Sequence, residues 1–123
     1  MDNNLRDLDI LGRIVEYCND IDEIIEMFGG NIETFVSNKA YRHSIAMCIL
    51  QIGELVTNLT EDFREQNPVI PWREIRAMRN VFAHRYGRID IKTTWATIHE
   101  EVPILRDFCT DAIERRKFGE SWG

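Results

Sequence analysis

Three residues in the second half of the chain have types and spacing that suit proton transfer beside a phosphate: Arg79, His84 and Tyr86, in the pattern Arg-x4-His-x-Tyr. A histidine takes up and releases a proton near neutral pH, because its ordinary pKa is about 6.5. An arginine carries a planar cation whose N–H groups match two phosphate oxygens. The pattern therefore predicts that His84 acts as base or acid and that Arg79 holds a phosphate. Asn80 follows Arg79 directly and is expected to orient either group.

The charge distribution also points to a phosphate ligand. The 123 residues carry a net charge of −6. The segment from Trp72 to Lys92 is nevertheless +4, since it holds six basic and two acidic residues, so the rest of the chain is −10. A local basic patch on an acidic protein can bind a phosphate. The alternative is a solvated charged face. The basic residues of the segment are Arg73, Arg76, Arg79, Arg85, Arg88 and Lys92.

Arg79 occupies an unexpected position on its helix. On a helical wheel the residues Trp72, Ile75, Met78 and Phe82 form an apolar arc, and Arg79 falls within it. A guanidinium there costs free energy unless it is paired or faces a cleft. The predicted partner is Glu54, a carboxylate inside the apolar stretch Ile52–Val56. One alternative is therefore a buried Arg79–Glu54 pair that only orients helices.

The spacing of Arg79 and His84 adds a geometric condition. Five residues of an α-helix turn about 140° beyond one full circle, so the two side chains diverge if the helix continues through both. They converge only if the helix unwinds near His84, or if a second subunit supplies the missing partner.

The elements that must position these residues are helices. Apolar residues recur at alternating steps of three and four, and few glycines or prolines interrupt them. The pattern predicts an all-α antiparallel bundle, with short helical turns at 33–36 and 60–63. Pro71 is expected as a first helical residue, Asp90 as an N-cap, and Pro103 as a kink. The four main helices are predicted at about 4–28, 38–59, 72–83 and 90–117.

Composition excludes several other classes of protein. The chain has the size of one domain, taken as residues 1–123 with 119–123 as a flexible tail. No apolar run approaches the roughly 20 residues of a membrane span, and the N-terminus does not resemble a secretory signal. The cysteines Cys18, Cys48 and Cys109 form no CxxC pair, so they are expected in a reduced core in the cytoplasm.

No metal or other cofactor is expected, because the three histidines lack the spacing of metal ligands. His43 and His99 are interpreted as surface residues.

Together these motifs resemble the HEPN superfamily, and specifically the HepT-like toxins. The resemblance covers about residues 5–108. It rests on Arg79-x4-His84-x-Tyr86, on Ile52-Gly53-Glu54, on the stretch Pro68-Val69-Ile70-Pro71-Trp72, and on Trp95 and Pro103. The sequence departs from the family pattern at Arg85, where an acidic residue is common, and at Gly87, where a second aromatic residue is common.

The resemblance implies a homodimer whose motifs face each other across a shared cleft. It also implies an endoribonuclease toxin that needs no metal and leaves a cyclic phosphate, because RNA supplies the ribose hydroxyl as its own nucleophile. Arg79 and His84 are the implied catalytic residues, supported by Asn80 and Glu54. Tyr86 is the implied site at which a nucleotidyltransferase antitoxin similar to MntA attaches AMP. The implied RNA-binding residues are Arg73, Arg76, Arg85 and Arg88.

Two alternatives remain open at the level of the sequence. One is a non-catalytic HEPN module that binds a nucleotide or a partner protein next to a nucleotidyltransferase. The other is a purely structural dimerising bundle, which would leave the position of Arg79 within an apolar arc without an explanation.

Overall fold

The computed structural model describes residues 3–84 and 90–117, with every side chain in these ranges except those of His84 and Lys117. In this part of the chain all regular elements are helical, which confirms the all-α prediction. They are α1 (Asn3–Phe28), α2 (Ile32–Ser37), α3 (Lys39–Asn58), α4 (Glu61–Gln66), α5 (Trp72–His84), α6 (Ile91–Ala96), a π-helical turn (Thr97–Glu101) and α7 (Val102–Lys117).

Four main helices are present, as predicted. The segments α6, π-helical turn and α7 follow one another without a break, so they form the fourth long helix. In the bundle α1 packs against α3 and α7, and α3 packs against α1 and α5. The start of α1 lies beside the end of α3, because Asp7 accepts hydrogen bonds from Thr60. The end of α1 lies beside the start of α3, because Tyr41 donates to the Gly29 carbonyl at 2.9 Å. These two helices are therefore antiparallel.

The helix ends follow local sequence signals. Gly29 has a φ of +101°, the left-handed region that favours glycine, and its N–H bonds to the Ile25 carbonyl at 2.7 Å. Asn31 and Asn38 cap α2 and α3 with their side-chain oxygens. Asp90 caps α6, as predicted, by accepting from the N–H groups of residues 92 and 93. Short polar side chains thus set the boundaries of these helices.

Of the two prolines expected to shape helices, Pro71 lies one residue before the position predicted for it, and Pro103 lies just after a widened turn. Helix α5 begins at Trp72, so Pro71 is not its first residue; its carbonyl instead accepts the first helical bond, from the Ile75 N–H at 3.1 Å. The interruption expected at Pro103 takes the form of the π-helical turn, which ends two residues before it. A proline cannot donate to the carbonyl four residues back, and its ring crowds that carbonyl, so a wider turn there relieves the conflict.

The core lies between α1, α3 and α7. Cys18, Cys48 and Cys109 are all free and buried in it, as predicted for the interior positions. An aromatic cluster closes one end of the core, where Tyr41 stacks on Phe28 at 4.9 Å between centroids and meets Phe35 edge-on at 5.0 Å. Arg106 of α7 pairs with Asp22 of α1. No helix in the described ranges is long and apolar enough to cross a membrane.

Helix α5 is anchored at its first residue as well as along α3. Trp72 is buried and lies against Phe63 and Phe108, with ring centroids 6.0 and 5.9 Å away. Its indole N–H donates to the Asn67 carbonyl at 3.0 Å. Beyond this residue, α5 packs chiefly on α3. The anchor fixes the direction in which α5 carries Arg79 along α3.

Candidate active site

A glycine allows α5 to approach α3 closely at Arg79. Gly53 is buried on α3, and a Cβ placed on it would lie 2.2 Å from the Arg79 Cβ and 3.3 Å from the Arg79 Cα. Carbon atoms in contact lie about 3.5–4.0 Å apart, so no side chain fits there without moving a helix. Gly53 therefore sets the distance at which Arg79 stands from the next residue of α3, Glu54.

Glu54 and Arg79 form an ion pair across the two helices. Arg79 Nε donates to Glu54 Oε2 at 2.8 Å, which is the partner expected from the sequence. The pair is not buried, however: the side chains are 30% and 50% exposed. The alternative of a buried pair that only orients helices is wrong in this respect, because α3 and α5 meet at the surface here. A pair this exposed contributes at most about 1 kcal/mol of stability.

Asn80 adds a second contact to the same guanidinium. Arg79 Nη1 donates to Asn80 Oδ1 at 3.2 Å. Among the described residues Nη2 has no hydrogen-bond partner, so this edge of the guanidinium can bind an added anion. Glu54 and Asn80 hold the plane of the guanidinium from two sides. Because the guanidinium is already oriented, less conformational entropy would be lost when a phosphate binds to it.

His84 is the last residue of α5, so the helix does not unwind before it. Along a regular helix its Cα lies about 7.5 Å further along the axis than that of Arg79 and about 140° around it. The backbone is thus helical from Arg79 to His84, and whether the helix unwinds just past His84 stays a prediction. Arg85, Tyr86 and Arg88 lie outside the described residues.

Two more basic residues extend along α5 from Asn80 towards its N-terminus. Arg73 and Arg76 are exposed, and positions 73, 76 and 80 recur at steps of three and four, which places them on one face. Successive turns of α5 therefore present two cations and then the Asn80 amide that touches Arg79. A phosphate chain lying along this face would meet positive charge at each turn.

The remaining histidines lie apart from this arrangement. His43 and His99 are exposed, and the His99 ring lies 4.3 Å from the Trp95 ring while its Nδ1 is 2.9 Å from the Trp95 carbonyl. In the described ranges no group of three or more His, Cys, Asp or Glu side chains could hold a metal ion.

Sequence reasoning did not identify the reason for Gly53. In the sequence it stands as the middle residue of Ile52-Gly53-Glu54, on the buried face of a long helix. A glycine there weakens a helix by about 1 kcal/mol relative to alanine, so its presence indicates a close approach of another backbone.

Comparison with known proteins identifies the family. The family described as "Ribonuclease HepT-like" matches residues 14–112. A protein of Thermococcus cleftensis named "Probable ribonuclease HepT" is 34% identical over 96 residues, which cover 74% of this chain and 87% of that protein.

Two further relatives carry the name "Putative RNase". One, from Methanocaldococcus jannaschii, is 34% identical over 93 residues, covering 76% of this chain and 75% of its own length. The other, from Caldanaerobacter subterraneus, is 30% identical over 107 residues, covering 87% and 94%. No solved structure matches the chain. The family match and these relatives together show that the chain belongs to the HepT-like ribonuclease family.

Proposed function

We propose that this chain is a metal-independent endoribonuclease, with Arg79 and His84 as its catalytic residues. The observation that carries the proposal is the state of Arg79: a partly exposed guanidinium held by Glu54 and Asn80, with Nη2 unpartnered among the described residues. A structural ion pair has no need of a second residue that orients the cation. The names of the relatives supply the substrate class, which is RNA.

The chemistry follows from the two side chains. The His84 imidazole removes the proton of a ribose 2′-hydroxyl, and the 2′-oxygen attacks the adjacent phosphorus. The bond to the 5′-oxygen of the next nucleotide breaks, and that oxygen takes up the proton that the imidazole removed, directly or through water. The products are a cyclic phosphate and a 5′-hydroxyl. Arg79 donates to the phosphate oxygens as negative charge builds on them in the transition state. Asn80 and Glu54 hold the guanidinium plane during this step.

The proposed active unit is a homodimer. Because α5 is helical through His84, the Cα atoms of Arg79 and His84 in one chain lie about 140° apart around the helix axis. A two-fold axis beside α5 would place Arg79 of one protomer opposite His84 of the other, and one RNA strand would meet the Arg73 and Arg76 stripes of both. The same proposal assigns RNA contacts to Arg85 and Arg88.

The biological role proposed for the chain is that of a cytoplasmic toxin in a toxin–antitoxin pair. Its partner is a nucleotidyltransferase similar to MntA, which attaches AMP to Tyr86. An anionic adduct two residues from His84 would block the phosphate site by occupancy and by repulsion. The support is the position of Tyr86 in the motif, beside the catalytic histidine.

A cleavage assay on purified protein tests the nuclease. Wild type, Arg79→Ala and His84→Ala are incubated with RNA in the presence of a chelator, and the ends of the fragments are analysed. The matched control is Arg115→Ala, which removes an exposed arginine that pairs with Asp111 one turn earlier on α7. We expect wild type and Arg115→Ala to cut equally, and the other two variants to lose at least about 100-fold in rate.

Different outcomes separate the proposed functions. If wild type and His84→Ala are equally inactive while both bind RNA or a nucleotide, the chain is a non-catalytic binding module. Loss of cutting on addition of chelator would contradict a metal-independent mechanism. A Tyr86→Phe variant that still gains the mass of AMP when mixed with the nucleotidyltransferase would refute the role given to Tyr86.

A further inference from the structure

An apolar groove opens on the other side of α5, between this helix and the start of α7. Its volume is about 530 Å³. Ile49 and Ile52 of α3 form the buried floor, and Met78 contributes to the α5 wall. Two large apolar side chains stand at its rim almost uncovered: Val69 is 77% exposed and Ile104 is 62% exposed. Exposed apolar surface next to a groove costs free energy in water, so an occupant that covers it would bind favourably.

The charges of the groove differ from those of the Arg79 site. Among its described lining residues the charged ones are Glu74 of α5 and Glu101 at the end of the π-helical turn, and both are exposed. Two carboxylates on opposite walls repel a phosphate chain, so RNA does not fit this surface. They favour an occupant with positive charge on both of its flanks.

Two other occupants fit less well. A small apolar ligand would fill the floor but leave Val69 and Ile104 uncovered at the rim. A second copy packed groove to groove would bring its own Glu74 and Glu101 against the same pair, since a two-fold interface uses the same surface on both subunits. Outside the groove, the large apolar side chains exposed in the described residues do not recur at the spacing of a helix ridge that could enter it; they are Leu5, Met27, Val36, Met47 and Val81.

We propose that the groove binds an amphipathic helix of a different protein, with an apolar face flanked by lysine or arginine. Helices bind in grooves through apolar side chains at steps of three and four, which here would cover Val69 and Ile104 and contact the floor. Cations on the two flanks pair with Glu74 and Glu101. This surface is separate from the catalytic proposal, so it stands or falls independently of RNA cleavage.

Two synthetic peptides of 18 residues provide the test, measured by fluorescence anisotropy with the full-length protein. Both carry leucines at helical spacing on one face; one has lysine on the flanks and the other glutamate. We expect the lysine peptide to bind at least about tenfold more tightly, because each exposed ion pair changes affinity by up to about fivefold. In the double variant Glu74→Lys, Glu101→Lys the preference should reverse.

A matched pair of surface variants locates the binding. Ile104→Ser removes an exposed apolar side chain at the rim, whereas Met47→Ser removes one that is 55% exposed on α3 and does not line the groove. We expect Ile104→Ser to weaken the lysine peptide about tenfold and Met47→Ser to leave it unchanged.

Three results would overturn the proposal. The first is that neither peptide binds, and the second is that both bind equally to wild type and to the charge-reversed variant. The third comes from sedimentation: if Ile104→Ser converts a dimer to a monomer and Met47→Ser does not, the groove is occupied by a second copy of the chain.

Discussion

Replacing Gly53 with alanine should separate α3 from α5 at the point where Arg79 is held. The added methyl group would lie 2.2 Å from the Arg79 Cβ and 3.3 Å from its Cα, so rotation of the arginine side chain cannot relieve the contact. Restoring a carbon–carbon distance of about 3.5–4.0 Å requires one helix to move by about 1.5 Å. The Arg79 Nε to Glu54 Oε2 hydrogen bond, now 2.8 Å, would then be lost.

The expected change in stability follows from two opposing terms. Overpacking of a well-packed contact costs about 1–3 kcal/mol, and alanine gains about 1 kcal/mol over glycine inside a helix. The net destabilisation is therefore up to about 2 kcal/mol, which lowers the Tm of a 123-residue domain by up to about 10 °C. Gly12→Ala is the matched control, since a Cβ at Gly12 in α1 meets nothing within 4 Å. That variant should gain up to about 1 kcal/mol.

Urea and thermal unfolding of the two variants measure this difference, and the RNA cleavage assay shows whether Arg79 has been displaced. A second substitution checks the cause: Arg79→Gly removes the opposing Cβ, so the destabilisation by Gly53→Ala should largely disappear in the double variant. If Gly53→Ala and Gly12→Ala raise the Tm equally, the close approach of the two helices does not exist, and the explanation of how Arg79 is positioned fails.

Three further predictions concern the rest of the bundle. Asp7 is buried and accepts hydrogen bonds from the Thr60 N–H and hydroxyl at 2.9 and 2.6 Å. Asp7→Ala should therefore lower the free energy of unfolding in urea by about 1–3 kcal/mol, and an unchanged urea midpoint would contradict this. Hydrogen bonds from the Thr93 hydroxyl and from backbone N–H groups lower the pKa of Asp90. The ionised carboxylate therefore stabilises the fold fully above about pH 4, and this stabilisation is lost as the pH falls through the lowered pKa. Asp90→Asn should remove the contribution of Asp90 to the acid dependence of the unfolding free energy. Burial raises the pKa of Cys18 to about 12 and that of Cys48 to about 11, so a thiol reagent at pH 8 should label these cysteines only on unfolding; rapid labelling of the native protein would contradict their burial.

Much of the fold could be predicted because its signals are local. The apolar spacing and the caps Asn38 and Asp90 lie within a few residues of the helix ends that they determine. The π-helical turn was not predicted, because a proline such as Pro103 announces an interruption but not whether the helix bends, ends or widens. That choice depends on the packing of the residues on both sides.

The sequence predicted that Glu54 and Arg79 form a pair, but it did not predict how far that pair is exposed to solvent. A charged residue in each of two apolar stretches suggested that Glu54 and Arg79 meet, and they do. How far the pair reaches solvent depends on how closely α5 approaches α3, which is a property of Gly53 and its neighbour in three dimensions. The sequence shows a glycine in a helix, but it does not show which side chain lies opposite.

The attachment of α5 at Trp72 has a consequence for the end of the helix that holds Arg79 and His84. Backbone amides near the anchored indole, which packs on Phe63 and Phe108, should exchange hydrogen slowly, and those further along α5 are protected by the contact with α3 and by the burial of Phe82. The free energy of local opening should therefore decrease only past Phe82, at the last residues of the helix. A second subunit or a strand of RNA that binds at the end of α5 would slow amide hydrogen exchange there most. These are the amides of the helix that exchange fastest in the free chain.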